Sequence, residues 1–170
     1  MTIMKKVLII ALSAVIILFS ACKKEKPNAK FIGNYKGSAT VNATSSYSLF
    51  GQPFEQEIPE FAVPVEIDLT AGNTDNKVIL TYVNADLNET YTTTGLVSEN
   101  SVDFEPMNVN FTHELNNINA SIDLKGTLID SNILSLDADI EGNGTLQFMN
   151  VPITVKGTAS ANLNKSVQSE

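Results

Sequence analysis

The chain has 170 residues, a net charge of −8, one cysteine, one histidine, no tryptophan and no arginine. A single thiol and a single imidazole exclude a disulfide framework, a Cys/His zinc centre and any Ser-His-Asp arrangement not built on His113. From Phe31 onward 5 Lys face 18 Asp and Glu, a net charge of −13, and the lysines stand singly. No nucleic-acid partner is therefore expected, because phosphate neutralisation needs clustered cations.

The first element is a signal. Lys5-Lys6 precede an unbroken run of 13 apolar or small residues, Val7 to Phe19, followed by Ser20-Ala21-Cys22. This is the charged, apolar and small-residue layout of an export sequence. From Val7 to Cys22 only 16 residues are uncharged before Lys23-Lys24, short of the roughly 20 that a spanning helix needs. Leu18-Phe19-Ser20-Ala21-Cys22 resembles the lipobox of bacterial lipoproteins. The resemblance implies that Cys22 is acylated, becomes the first residue of the mature chain and holds the protein on a membrane. Lys23, where inner-membrane lipoproteins often carry Asp, points to the outer membrane, and Cys-Lys-Lys-Glu-Lys is similar to lipoproteins of the Bacteroidetes. The expected division is a signal over 1–21, a polar tether over 22–30, one folded domain over 31–165 and a tail over 166–170. The tether lysines suit either a solvated spacer or contact with anionic headgroups.

Beyond the tether, apolar residues alternate with period two, and no stretch shows apolar spacing of three and four, so the domain is expected to be all-β. Predicted strands are Tyr35 to Val41, Val63 to Leu69, Lys77 to Val83, Tyr91 to Val97 and Val102 to Phe111. Further strands run around Ile122 to Leu128, Ser131 to Ile140, Leu146 to Phe148 and Val151 to Ala159. Turns are expected at Gly72-Asn73, Asn84-Ala85-Asp86, Ser98-Glu99-Asn100, Ile129 to Asn132 and Glu141 to Gly144. Eight to ten strands joined in chain order form an antiparallel meander that closes to remove its edges; a two-sheet sandwich is the alternative. Thr44 to Glu60, with Pro53 and Pro59, is read as irregular, a lid or a surface loop.

Gly33-Asn34-Tyr35-Lys36-Gly37 on the first strand resembles the opening of calycin-like barrels, whose lipocalin members carry Gly-x-Trp there. The later Leu124-Lys125-Gly126-Thr127-Leu128 and Leu134-Ser135-Leu136 are similar to calycin-like lipoproteins of the Bacteroidetes. The resemblance implies a lipocalin-like barrel and, with it, a small apolar ligand.

Lys-Gly followed by Ser or Thr occurs at Lys36, Lys125 and Lys156, but a phosphate loop needs a helix start after it, so these glycines read as structural. Their parity is inward, together with Ala39, Ala138 and Ala159. Such small residues are expected to leave a cavity lined by Tyr35, Tyr82, Phe104, Phe111 and Phe148. Asp137-Ala138-Asp139-Ile140-Glu141-Gly142 matches the first half of a calcium loop, yet the twelfth position is Phe148 where a bidentate Glu is required. Glu114 follows His113 directly and so points to the opposite face of a strand, unable to orient it as a base. No catalytic residue, cofactor or metal is expected. Two functions follow: a lipid-anchored barrel binding a small apolar ligand, or a solid-cored accessory lipoprotein docking on an envelope protein through its outer face or the Thr44 to Glu60 segment.

Overall fold

The computed structural model of the protein describes residues 25–84, 88–113, 116–146 and 150–166. A single turn of 3-10 helix, Ala29–Phe31, precedes nine strands. They are β1 Gly33–Leu49, β2 Gln52–Ala71, β3 Lys77–Asn84, β4 Glu89–Ser98, β5 Ser101–Phe104, β6 Met107–His113, β7 Asn116–Leu128, β8 Ile133–Leu146 and β9 Val151–Lys165. All pair antiparallel in the order β5-β4-β3-β2-β1-β9-β8-β7-β6, and β5 also pairs with β7. The meander therefore closes into a hydrogen-bonded ring, as the alternation predicts. The ring is not evenly round an axis, so a flattened barrel and a continuous sandwich both describe it.

Three local readings are corrected. Thr44 to Glu60 is not a loop. β1 and β2 pair without a break in the hairpin as far as Leu49↔Gln52, with one bulge near Asn42. Phe50 and Gly51 both have positive φ, 50° and 77°, the backbone of a two-residue hairpin turn whose twist suits antiparallel strands. Prolines do not break β2, because from Gln52 to Glu66 it has β1 on one side and, among the described residues, no strand on the other. Pro53, Pro59 and Pro64 sit on this free edge, where proline is tolerated and blocks further strand addition.

Glu141 to Gly144 is not a turn either. β8 runs through it, paired with Ile118 to Ser121 of β7 and Ile153 to Lys156 of β9. A Cβ on Gly142 would lie 2.8 Å from Ile118 Cγ2, so the residue is small for packing and not for turning. The expected strand Val102 to Phe111 is two strands. Pro106 lacks an N–H, and at the break Glu105 N–H donates to the Thr94 carbonyl (2.9 Å) while Thr93 Oγ1 donates to the Glu105 carbonyl (2.7 Å). β5 then pairs with the C-terminal part of β7 and β6 with its N-terminal part.

The interior is two apolar clusters. The larger one holds Phe31, Tyr35, Leu69, Leu80, Val102, Phe104, Leu134 and Leu163 near the start of β1. The second one holds Met107, Val109, Ile118, Ala120, Ile153 and Val155 beneath the outer half of the β1–β2 hairpin. Alternation holds along β7, where Leu124 and Leu128 are buried while Asp123, Lys125 and Thr127 are exposed, and it slips in β2 at the bulge, where Pro59 and Glu60 are both exposed between Ile58 and Phe61. Where the clusters meet, the inward residues are small, with Ala39 and Ala43 on β1, Ala138 on β8, and Gly157, Ala159 and Ala161 on β9.

Candidate functional site

The inward glycines do not leave space. A Cβ on Gly37 would come within 2.8 Å of Leu163 Cδ2 and of the Asn162 carbonyl. On Gly126 it would meet Val102 at 2.8 Å, and on Gly157 the Asn42 carbonyl at 2.4 Å and Ala43 Cβ at 2.7 Å. Each missing side chain is thus replaced by a neighbouring strand or a larger side chain. Interiors pack to crystal-like density, and small residues here let the wall move inward. The premise that they leave interior volume is corrected at these positions.

The consequence appears on the other side of the wall. Over Ala138 and Ala159 the outer face dips into a hollow of about 230 Å³, lined also by Thr40, Asn42, Asp123, Lys125, Asp137, Asp139, Thr158 and Ser160. Register explains the set. Asn42, Thr158, Asp139 and Asp123 form one cross-strand row, and Thr40, Ser160, Asp137 and Lys125 form the next. Among the described residues no side-chain hydrogen bond or ion pair joins these eight groups, although Lys125 stands directly across from Asp137. Asp123 faces Asp139 across one strand pair, an arrangement that disfavours the bare pair of charges. Sequence parity turns Asp123, Lys125, Asp137 and Asp139 outward; it holds no sign that the surface beneath them is concave. Among the described residues no group of three or more His, Cys, Asp or Glu is arranged to hold a metal ion.

The five residues expected to line a cavity are distributed as follows. Tyr35 is fully buried and Phe104 nearly so, both in the larger cluster, with Tyr82 half-buried against it. Tyr82 stacks on Tyr91 at 6.2 Å between ring centroids, and the Tyr91 hydroxyl bonds Glu89 and both backbone groups of Asn110. Phe111 lies on β6 opposite Ile118 in the backbone register. Phe148 lies outside the described residues, as does Cys22. The Tyr35 hydroxyl is buried with no hydrogen-bond partner among the described residues, and burial pushes its pKa above the usual tyrosine value. A buried polar atom without a partner needs an explanation in any fold.

A third feature is the strap formed by residues 26–32, which the sequence reading placed largely in the tether. Asn28 is buried, its Nδ2 donating to the carbonyls of Lys77 (2.8 Å) and Thr74 (3.3 Å), and its N–H to the carbonyl of Asp75 (3.1 Å). Lys26 pairs with Asp75 at 2.9 Å, and Lys30 Nζ donates to Asn100 Oδ1 at 2.6 Å. Phe31 fills the end of the larger cluster. The signal for this was Asn28-Ala29-Lys30-Phe31 itself, an aromatic just after a short polar turn. The folded unit therefore begins before Phe31, and the strap closes one end of the ring.

No family model matches the chain, and no curated protein matches it. Among solved structures, EF1p2_mFAP2b bound to DFHBI is similar at a TM-score of 0.40 and 9% identity, covering 84% of this chain and 98% of that one. A structural-genomics protein of unknown function from Bacteroides ovatus is similar at a TM-score of 0.31 and 12% identity, covering 74% of this chain and 41% of that one. Both likenesses are too distant to carry a function across.

Proposed function

We propose that the protein is a non-catalytic lipoprotein of the bacterial outer membrane, anchored through acylated Cys22, that works through the outside of its ring by docking on a partner in the cell envelope. The observation that supports it is the filling of the interior beside the inward glycines, with the hollow on the outer face. Its lining of hydroxyls, an amide, three carboxylates and a lysine suits hydroxyl or amine groups on that partner and offers little to an apolar one. Ala138→Phe is the test. In a filled core the added ring overpacks and costs about 1–3 kcal/mol. Full stability of that variant, with an apolar ligand lost from the purified protein by native mass spectrometry, would overturn the reading.

A second reading, a small largely apolar ligand held inside a calycin-like ring, is favoured by one observation, the unpartnered Tyr35 hydroxyl in the larger cluster. A guest presenting one polar atom to that hydroxyl would satisfy it. Native mass spectrometry of the wild type separates the readings, because an interior guest adds a fixed mass that unfolding releases.

A further inference from the structure

Given the anchor proposed above, on which this step rests, we infer that the domain stands end-on upon its membrane, with the strap end against the lipid surface and the β1–β2 hairpin pointing away. Covalent length limits how far the fold can stand from its anchor. Three residues lie between Cys22 and Lys26, so four Cα steps span at most about 14 Å. Lys26 is already tied to Asp75, and Asn28, Lys30 and Phe31 are fastened behind it. The leash therefore ends in a fixed point of the fold, and the ring is held where the leash ends.

That fixed point lies at one end of the ring. Through the strap it is joined to the β2–β3 turn (Asn28 to Thr74 and Lys77) and the β4–β5 turn (Lys30 to Asn100). The β7–β8 turn joins the same end, since Lys165 N–H donates to the Asn132 carbonyl and Lys165 Nζ reaches the Lys30 carbonyl. These turns form a largely polar end face, with Asp130, Ser131 and Asn132 exposed; its exposed large apolar side chains among the described residues are Ile129, at 61%, and Leu96 beside Lys77, at 51%. Such a face suits contact with headgroups and not insertion into hydrocarbon. Lys26, Lys30, Lys77 and Lys165 cluster here against Asp75, Glu99 and Asp130, so the described face is close to neutral and the leash, not charge, sets the stance. β1 starts at this end, and its 17 residues carry the hairpin tip up to about 50 Å along the strand. Phe50, fully exposed, and Phe54, stacked on Tyr47 at 5.6 Å, thus lie at the pole away from the lipid.

The chain has no cysteine besides Cys22, so an introduced one is a unique label in the lipidated protein. Ser131→Cys and Gln52→Cys would each carry a fluorophore in the full-length protein, reconstituted in phosphatidylethanolamine/phosphatidylglycerol vesicles with a nitroxide on the headgroups. The expected result is quenching several-fold stronger at position 131 than at 52. Inserting about 15 Gly/Ser residues between Lys24 and Glu25, which adds roughly 20 Å of average reach, should collapse that difference. Equal quenching at both positions in vesicle-bound protein overturns the stance alone; failure of the protein to remain on vesicles overturns the anchor and the stance with it.

Discussion

Tyr35→Phe removes one atom from the most enclosed part of the larger cluster. The Tyr35 side chain is fully buried in the apolar cluster with Lys165 Nζ 5.7 Å from its ring centroid, and its hydroxyl has no partner among the described residues. An ordinary buried Tyr→Phe change loses a hydrogen bond of about 1 kcal/mol, whereas here the change relieves an unsatisfied group whose burial costs about 1–3 kcal/mol. The ring itself stays, so no large cavity opens. The net expectation is stabilisation by about 1 kcal/mol, a rise in melting temperature of roughly 4 °C for a domain of this size. Thermal and urea unfolding measure it. The pH dependence gives a second readout. Burial raises the folded pKa of Tyr35 above the usual tyrosine value, so above about pH 10 the unfolded chain loses its proton first and stability falls as pH rises toward the folded pKa. Tyr35→Phe should remove that part of the alkaline decline while leaving behaviour below pH 9 unchanged. A destabilisation of about 1 kcal/mol or more would refute the reasoning, since it would mean that the hydroxyl is hydrogen-bonded to an internal water or guest.

Asn28→Ala should cost about 1–3 kcal/mol, because it removes both side-chain bonds to the β2–β3 turn, and protease digestion should then cut near the strap before the rest of the domain unfolds. Gly95→Ala places a Cβ 2.5 Å from Val102 Cγ2 and 2.7 Å from Phe104, so equilibrium unfolding should report a loss of about 1–3 kcal/mol; a neutral result would mean that the interior there is looser than its packing indicates. Cys22→Ser should abolish fatty-acid labelling and membrane retention while circular dichroism of the domain stays sheet-like, and wild-type recovery in the membrane pellet would end the lipoprotein reading.

Period-two alternation was enough to specify an antiparallel all-β meander, because which face a side chain takes is a local property of the strand. Leu124, Leu128, Leu134 and Leu136 are buried, and Asp123, Lys125, Asp137 and Asp139 are exposed, on the faces that counting by twos assigns. The turn at Ile129 to Asn132 was equally local, since Asp130 Oδ1 accepts from the N–H groups of Asn132 (2.7 Å) and Ile133 (2.9 Å) two and three residues away. Composition misled where a residue type has two uses. Proline and glycine at Thr44 to Glu60 and at Glu141 to Gly144 read as strand breakers, yet Pro53 and Pro59 lie on a free edge and Gly142 makes room for Ile118. Those uses depend on which strand lies alongside, which no window of sequence contains. The same reason moved the candidate site from the inside of the ring to the outside. Parity correctly turned Gly37, Ala138 and Gly157 inward, but whether small residues leave a void or draw the wall in depends on what stands across from them. Leu163 and Ala43, distant in sequence, take up the space beside Gly37 and Gly157, and only ring closure brings them there.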